Sequence, residues 1–179
     1  MNGAGDAPRF FCDAMLGGLA RWLRAAGYDA SFEHGIDDGD LVRRAEHEGR
    51  VVLSSDGGIF LRNVVKHGRV AALFVPRATP PEEQLAVVLA RFALPLRDAR
   101  CMACSGELCE VAKHEVAGEA PPRSFAAFER FWRCASCAKL FWHGTHWRRI
   151  THTLGGAARR SWYGAESEHQ GRGSASIEG

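Results

Sequence analysis

Short apolar runs alternate with amphipathic stretches along the first half of the chain. Arg9-Phe-Phe-Cys-Asp13 is an apolar run closed by a carboxylate, which predicts a buried strand. Leu16, Leu19, Ala20, Leu23 and Ala26 then recur at helical spacing, and Gly27 supplies a stop. Residues 28–33 predict a second strand. Asp37-Asp38-Gly39-Asp40 opens a second helix, with Leu41, Val42 and Ala45 on its inner face; acids at a helix start are favoured by the dipole. Residues 50–54 read as a third strand, 55–58 as a turn, 59–67 as a helix and 70–75 as a fourth strand. Thr79-Pro80-Pro81-Glu82-Glu83 has the signature of a capped helix start, and that helix runs to about Phe92. Strand and helix thus alternate four times. Alternation of this kind predicts an α/β domain over 9–97: a parallel sheet with helices on both faces.

The pattern breaks at 95–99, the expected seam to a second module. Cys101 and Cys104 form one C-x-x-C pair, Cys134 and Cys137 another. Each pair sits on a short knuckle that aims two thiolates at one centre. Four sulfurs suit tetrahedral zinc, so 98–152 reads as a zinc ribbon. The 29 residues between the pairs exceed the usual spacing of about 15–20. A hairpin insert at 111–116 and the Pro121-Pro122 turn account for the length. Phe131, Trp132 and Phe141 read as the small core of this ribbon. Residues 153–179, Gly-rich and then polar, read as a disordered tail, its last stretch resembling an expression scar.

Composition narrows the class. No apolar run approaches the ~20 residues that span a bilayer, and the first nine residues lack the apolar core of a signal peptide. A soluble, cytoplasmic protein is expected, in a compartment where C-x-x-C pairs favour metal over disulfide. Cys12 and Cys109 read as small buried hydrophobes. The net charge of +2 excludes a generally basic nucleic-acid binder, but it is unevenly spread. Residues 1–97 carry 12 Lys/Arg and 12 Asp/Glu, whereas 98–160 carry 10 against 6. The ribbon is therefore mildly basic, which permits contact with nucleic acid.

Functional groups of a parallel α/β sheet gather at the carboxyl ends of its strands. Asp13 ends the first strand, Asp56 follows the third, and Asp37, Asp38 and Asp40 crowd the helix start after the second. These loci can converge on one pocket. Clustered carboxylates repel unless a cation sits among them, and Mg²⁺ or Mn²⁺ suits oxygen ligands. Such a site can deprotonate a water for attack on a phosphodiester. The bland alternatives are that Asp38 caps a helix and Asp56 makes a turn. In the ribbon, His146, Arg148 and Arg149 follow a Phe/Trp-rich run, so aromatics and cations together suit RNA.

The run Phe11-Cys-Asp-Ala-Met-Leu-Gly-Gly-Leu-Ala-Arg-Trp-Leu-Arg24, with Asp38-x-Asp-Leu41, Arg50-Val-Val-Leu-Ser-Ser-Asp56, Glu83-Gln84-Leu85, both C-x-x-C pairs and Phe141-Trp-His-Gly-Thr-His-Trp147, resembles the Mut7-C RNase domain family over about 9–150. The resemblance implies a PIN-like nuclease domain with a fused zinc ribbon and a metal-dependent ribonuclease activity. Asp13 and Asp56 match the family's first and third-strand acids, and Asp38 best matches the intermediate one. Arg21 and Arg24, just after Asp13, would lie near the scissile phosphates. Members commonly carry Thr-Arg-Asp where Ser54-Ser55-Asp56 stands, and no clear fourth acid is legible. The alternative reading is therefore a catalytically degenerate module that binds RNA or a ribonucleoprotein.

Overall fold

The computed structural model describes residues 7–170, and the side chains of all of these except 145, 146 and 161–170. Four short strands, β1 (Phe10–Cys12), β2 (Ala30–Phe32), β3 (Val51–Ser54) and β4 (Ala72–Phe74), form one parallel sheet in the order β2-β1-β3-β4. Phe10 pairs with Ala30 on one side and with Val51 on the other, so β1 is central. Its three residues are fully buried, as expected of a parallel strand covered on both faces.

Two layers cover the sheet. On one face lie α1 (Gly17–Ala25) and α5 (Pro81–Arg91), whose Leu19, Leu23, Leu85 and Leu89 meet Phe10 and Leu53. On the other lies α2 (Asp38–Glu48), whose Leu41, Val42 and Ala45 meet Phe11 and Val52. Adjacent Phe10 and Phe11 thus serve opposite cores, which is the period-two alternation of a strand. The helix expected over 59–67 is two four-residue turns, α3 (Gly57–Phe60) and α4 (Asn63–Lys66), broken at Leu61-Arg62. Thr79 does not cap α5: Pro80 holds that position, and the Thr79 hydroxyl donates to Pro76 O instead.

The ribbon sheet is antiparallel: β5 (Leu108–Val111), β6 (Phe131–Cys134) and β7 (Leu140–Trp142), in that order. The insert between β5 and β6 holds a 3-10 turn (Lys113–Val116) and α6 (Pro122–Ala127) rather than a hairpin. Only Phe131 of the three expected core aromatics enters the ribbon's core, with Val116 and Ala120. Trp132 pairs with Phe141 on the opposite face, and both are half-buried. Cys12 is buried as expected, but Cys109 is exposed on β5.

The polar tail expected from 153 is instead part of α7 (Thr145–Gln170); residues 171–179 lie outside the described residues. Ile150, Leu154 and Ala157 fall on one helical stripe and join the core of the first sheet beside Leu85 and Val88. Burial of that stripe outweighs the low helix propensity of Gly155 and Gly156.

The expected seam is strapped down. Arg97 N donates to Ala26 O (3.0 Å), Arg100 N to Arg24 O (2.8 Å), and the Tyr28 hydroxyl to Pro95 O. Gly27 makes this approach feasible. Its φ is +94°, and a Cβ there would lie 2.5 Å from Arg97 Cβ.

Candidate active site and metal centre

The connection after β1 leads to β2 on one side, and the connection after β2 crosses to β3 on the other. The crevice between the carboxyl ends of β1 and β3 is therefore the switch point where α/β sheets place their ligands. Asp13 stands at its edge, 5% exposed. Its Oδ2 accepts from Ser54 Oγ (2.6 Å) and Ser55 N (2.8 Å), and its Oδ1 accepts from Met15 N (2.9 Å). Ser54 Oγ also accepts from Asp56 N (2.9 Å). One buried hydroxyl thus spaces the first and third acids. Asp56 is exposed and caps α3, its Oδ1 accepting from Gly58 N (2.7 Å).

Asp37, not Asp38, caps α2: Asp37 Oδ1 accepts from Gly39 N (2.8 Å) and Asp40 N (3.0 Å). Asp40 pairs with Arg43. The Asp38 carboxylate accepts no hydrogen bond from any described residue, and so stays available. Burial pushes its carboxyl above the usual range, and the charges of Asp56 and Asp13 push the same way. Arg62 opposes them. The three aspartates therefore share one electrostatic field. They do not form a tight cage: among the described residues, only the four cysteines bring ligand atoms within 4.8 Å of one another. Three carboxylates at this looser spacing fit a hard cation that keeps part of its water shell. Exposed Arg62, at the break between α3 and α4, is a cation beside the site that sequence reasoning passed over. Its only sequence signal was its place inside an expected helix.

The cysteines come together as the spacing predicts. Cys101 Sγ lies 3.7 Å from Cys137 Sγ, and Cys104 Sγ 3.5 Å from Cys134 Sγ. A tetrahedron with Zn–S bonds of ~2.3 Å has sulfurs about 3.8 Å apart, so the cluster could hold zinc. The knuckles are near copies. Cys101 N donates to Gly106 O and Cys134 N to Lys139 O, while Ser105 N donates to Cys101 O and Ala138 N to Cys134 O. Ser105 and Ala138 both take positive φ, 70° and 59°. Gly106 lets the knuckles close, because a Cβ there would sit 2.7 Å from Cys134 Sγ. Burial raises the Cys134 thiol, but the Cys137 and Ser136 N–H groups outweigh it and bring it down to about 6.

The first knuckle is anchored to the parallel sheet. Ser105 Oγ donates to Asp29 Oδ1 (2.9 Å) and accepts from Ala30 N (3.0 Å). Asp29 also meets Arg50 Nη2 at 3.0 Å. Arg24, expected near scissile phosphates, is 6% exposed. Its Nε donates to Ala30 O (2.8 Å), and its Nη1 donates to Met102 O (3.1 Å) and Ala103 O (3.0 Å). It is a structural tether. Arg21, one turn earlier, is exposed beside the cleft between α1 and the ribbon. Arg148 and Arg149 are exposed on α7, whereas the His146 side chain lies outside the described residues.

The fold and this pair of sites define the class: a parallel α/β domain with acids at its switch point, fused to a four-cysteine knuckle module. The model of the Mut7-C RNAse domain matches residues 8–154, and the chain belongs to that family. A human relative, exonuclease mut-7 homolog, is 35% identical over 102 residues, covering 54% of this chain and 12% of that protein. The chain thus spans about an eighth of the length of this curated relative. No solved structure matches it significantly.

Proposed function

We propose that the protein is a Mg²⁺- or Mn²⁺-dependent ribonuclease that hydrolyses RNA phosphodiesters, working in the cytoplasm. The observation that carries this reading is the raised Asp38 carboxyl: an unpaired acid in the field of Asp13 and Asp56, at the switch point of the sheet. Asp13, Asp38 and Asp56 would hold the divalent ion. When bound, the ion supplies a Lewis acid and lowers the pKa of a coordinated water. Ser54 and the Ser55 N–H aim the Asp13 carboxylate by hydrogen bonds to its Oδ2. Arg62 offers a cation to a phosphate beside Asp38. Zinc on the four cysteines is structural, since four sulfurs leave no open position.

The test is cleavage of end-labelled single-stranded RNA with Mn²⁺, with Mg²⁺ and with EDTA. Wild type cuts only with metal, and Asp38→Asn loses more than ~100-fold, beyond the usual effect of an outer-shell change. Equal cutting by Asp38→Asn sinks the assignment. The product ladder separates endonucleolytic from exonucleolytic cutting.

A second reading, the catalytically degenerate RNA-binding module, draws on the three hydrogen bonds already committed to Asp13 and the loose spacing of the acids. RNA affinity that is independent of divalent metal and survives Asp38→Asn, with no cleavage under any condition, would select it.

A further inference from the structure

A cleft of about 1040 Å³ opens between α1 and the ribbon. It lies at the upper end of the ~300–1,000 Å³ usual for ligand pockets. Its walls are of two kinds. On the ribbon side stands an aromatic column. The Trp132 and His143 rings stack at 4.1 Å, and the His143 and Trp147 rings at 4.7 Å with 4° between their planes. The Arg130 guanidinium lies over the outer face of this column at Trp132, 5.1 Å from the ring centroid. Around the column the charge is lopsided: Arg21, Arg100, Arg130 and Lys139 line the cleft against Asp98.

Not all of this charge is free. Arg130 is spent on a two-pronged pair with Glu110, and Arg100 Nε donates to Ser105 O. The Arg21 and Lys139 side chains are exposed and have no hydrogen-bond or ion-pair partner among the described residues. A chain of net charge +2 has thus gathered uncompensated cations beside stacked rings. Folded proteins do not need either feature at their surface. Both are what an unpaired nucleic acid strand requires, because its bases stack and its phosphates seek cations.

The position of the cleft adds the second half of the argument. Gly17 at the start of α1 and Phe32 at the carboxyl end of β2 both line it. Asp13 lies at the same end of α1, four residues before Gly17. The cleft therefore opens toward the carboxyl end of the sheet, beside its edge strand β2.

We infer that this cleft seats an unpaired stretch of RNA, with bases along the aromatic wall of Trp132, His143 and Trp147 and phosphates against Arg21 and Lys139. The inference rests on the nucleic-acid reading of the protein but assigns a subsite outside the acid crevice.

Binding is measured by fluorescence anisotropy of a labelled 12-nucleotide oligouridylate on the zinc-loaded full chain, with no Mg²⁺ or Mn²⁺ added so that cleavage plays no part. Trp132→Ala takes away the ring that holds the aromatic wall together and weakens binding by about 5- to 100-fold. The exposed double variant Arg21→Glu/Lys139→Glu weakens it further. It also flattens the dependence of log K on log salt by roughly 0.7 per lost phosphate contact. Circular dichroism and zinc content verify that each variant is folded. Unchanged affinity in both folded variants overturns the inference. So does equal affinity for a blunt RNA duplex, or preference for a poly-glutamate peptide. The two readings fail separately: a wild type that binds through these residues but never cuts RNA removes the nuclease and keeps the cleft. One that cuts RNA while Trp132→Ala binds normally does the reverse.

Discussion

At the scale of single residues, the three aspartates are not equivalent, and their surroundings say how each will respond to substitution. Asp13 accepts from Ser54, Ser55 and Met15. An asparagine there turns a donor toward donors, so Asp13→Asn loses about 1–3 kcal/mol of stability along with any activity. Asp38 has no such partners, which makes it the cleaner probe. Its carboxyl is raised, first by burial and then by Asp56 and Asp13. The sign follows: ionising Asp38 costs the folded state. That cost is present above the raised pKa and disappears as pH falls toward the unfolded value near ~3.9. Asp38→Asn should therefore melt at or above the wild-type temperature at pH 7, and the gap should close as pH falls through the raised pKa. A wild type more stable than Asp38→Asn at pH 7 would contradict this. The roles of neighbouring acids were only partly legible in sequence. Asp37-Asp38-Gly39-Asp40 announced a helix start, but which acid caps it depends on a single residue's offset, and the cap fell to Asp37. Arg24 was misplaced for a different reason. It lies off the apolar stripe of α1, but the ribbon packs over that side and supplies the Met102 and Ala103 carbonyls, beside that of Ala30 on β2.

At the scale of elements, periodicity located all four parallel strands and the helices α1, α2 and α5, because each has an apolar face that had to be buried. It failed where partners come from far along the chain. Trp132 and Phe141 are apolar and sit on strands, so they read as core; only the register of β6 against β5 and β7 puts them on the face away from Phe131. α7 was hidden by Gly155 and Gly156, although Ile150, Leu154 and Ala157 already kept helical spacing. Its stripe is tested by Leu154→Ala, which should cost about 2–4 kcal/mol in a denaturant titration, as for other buried leucines. An unchanged midpoint would mean that α7 does not dock. Arg24→Met should be as damaging. It leaves the Met102 and Ala103 carbonyls without their donor, at about 2–4 kcal/mol for loss of a buried charge-assisted network.

At the scale of the whole molecule, the two modules expected from the break at 95–99 are one body. The first knuckle hangs on β2 through Ser105, Asp29 and Arg24, and α7 returns from the ribbon to the core beside α5. The second knuckle has no comparable anchor among the described bonds, so a metal on the cysteines ties it to the first. Cys134→Ser should abolish zinc stoichiometry. Chelation should speed amide exchange in β6 and β7 far more than in β1 and β3; uniform exchange across both sheets would refute this asymmetry. The strapped segment at 95–100 has a consequence for how a substrate would be handled. With no swivel between the aromatic cleft and the aspartates, the interval separating them is a constant of the molecule. A strand gripped at one and severed at the other would be measured out, with the cut falling a set number of nucleotides from the grip whatever their identity. The protein would act as a ruler.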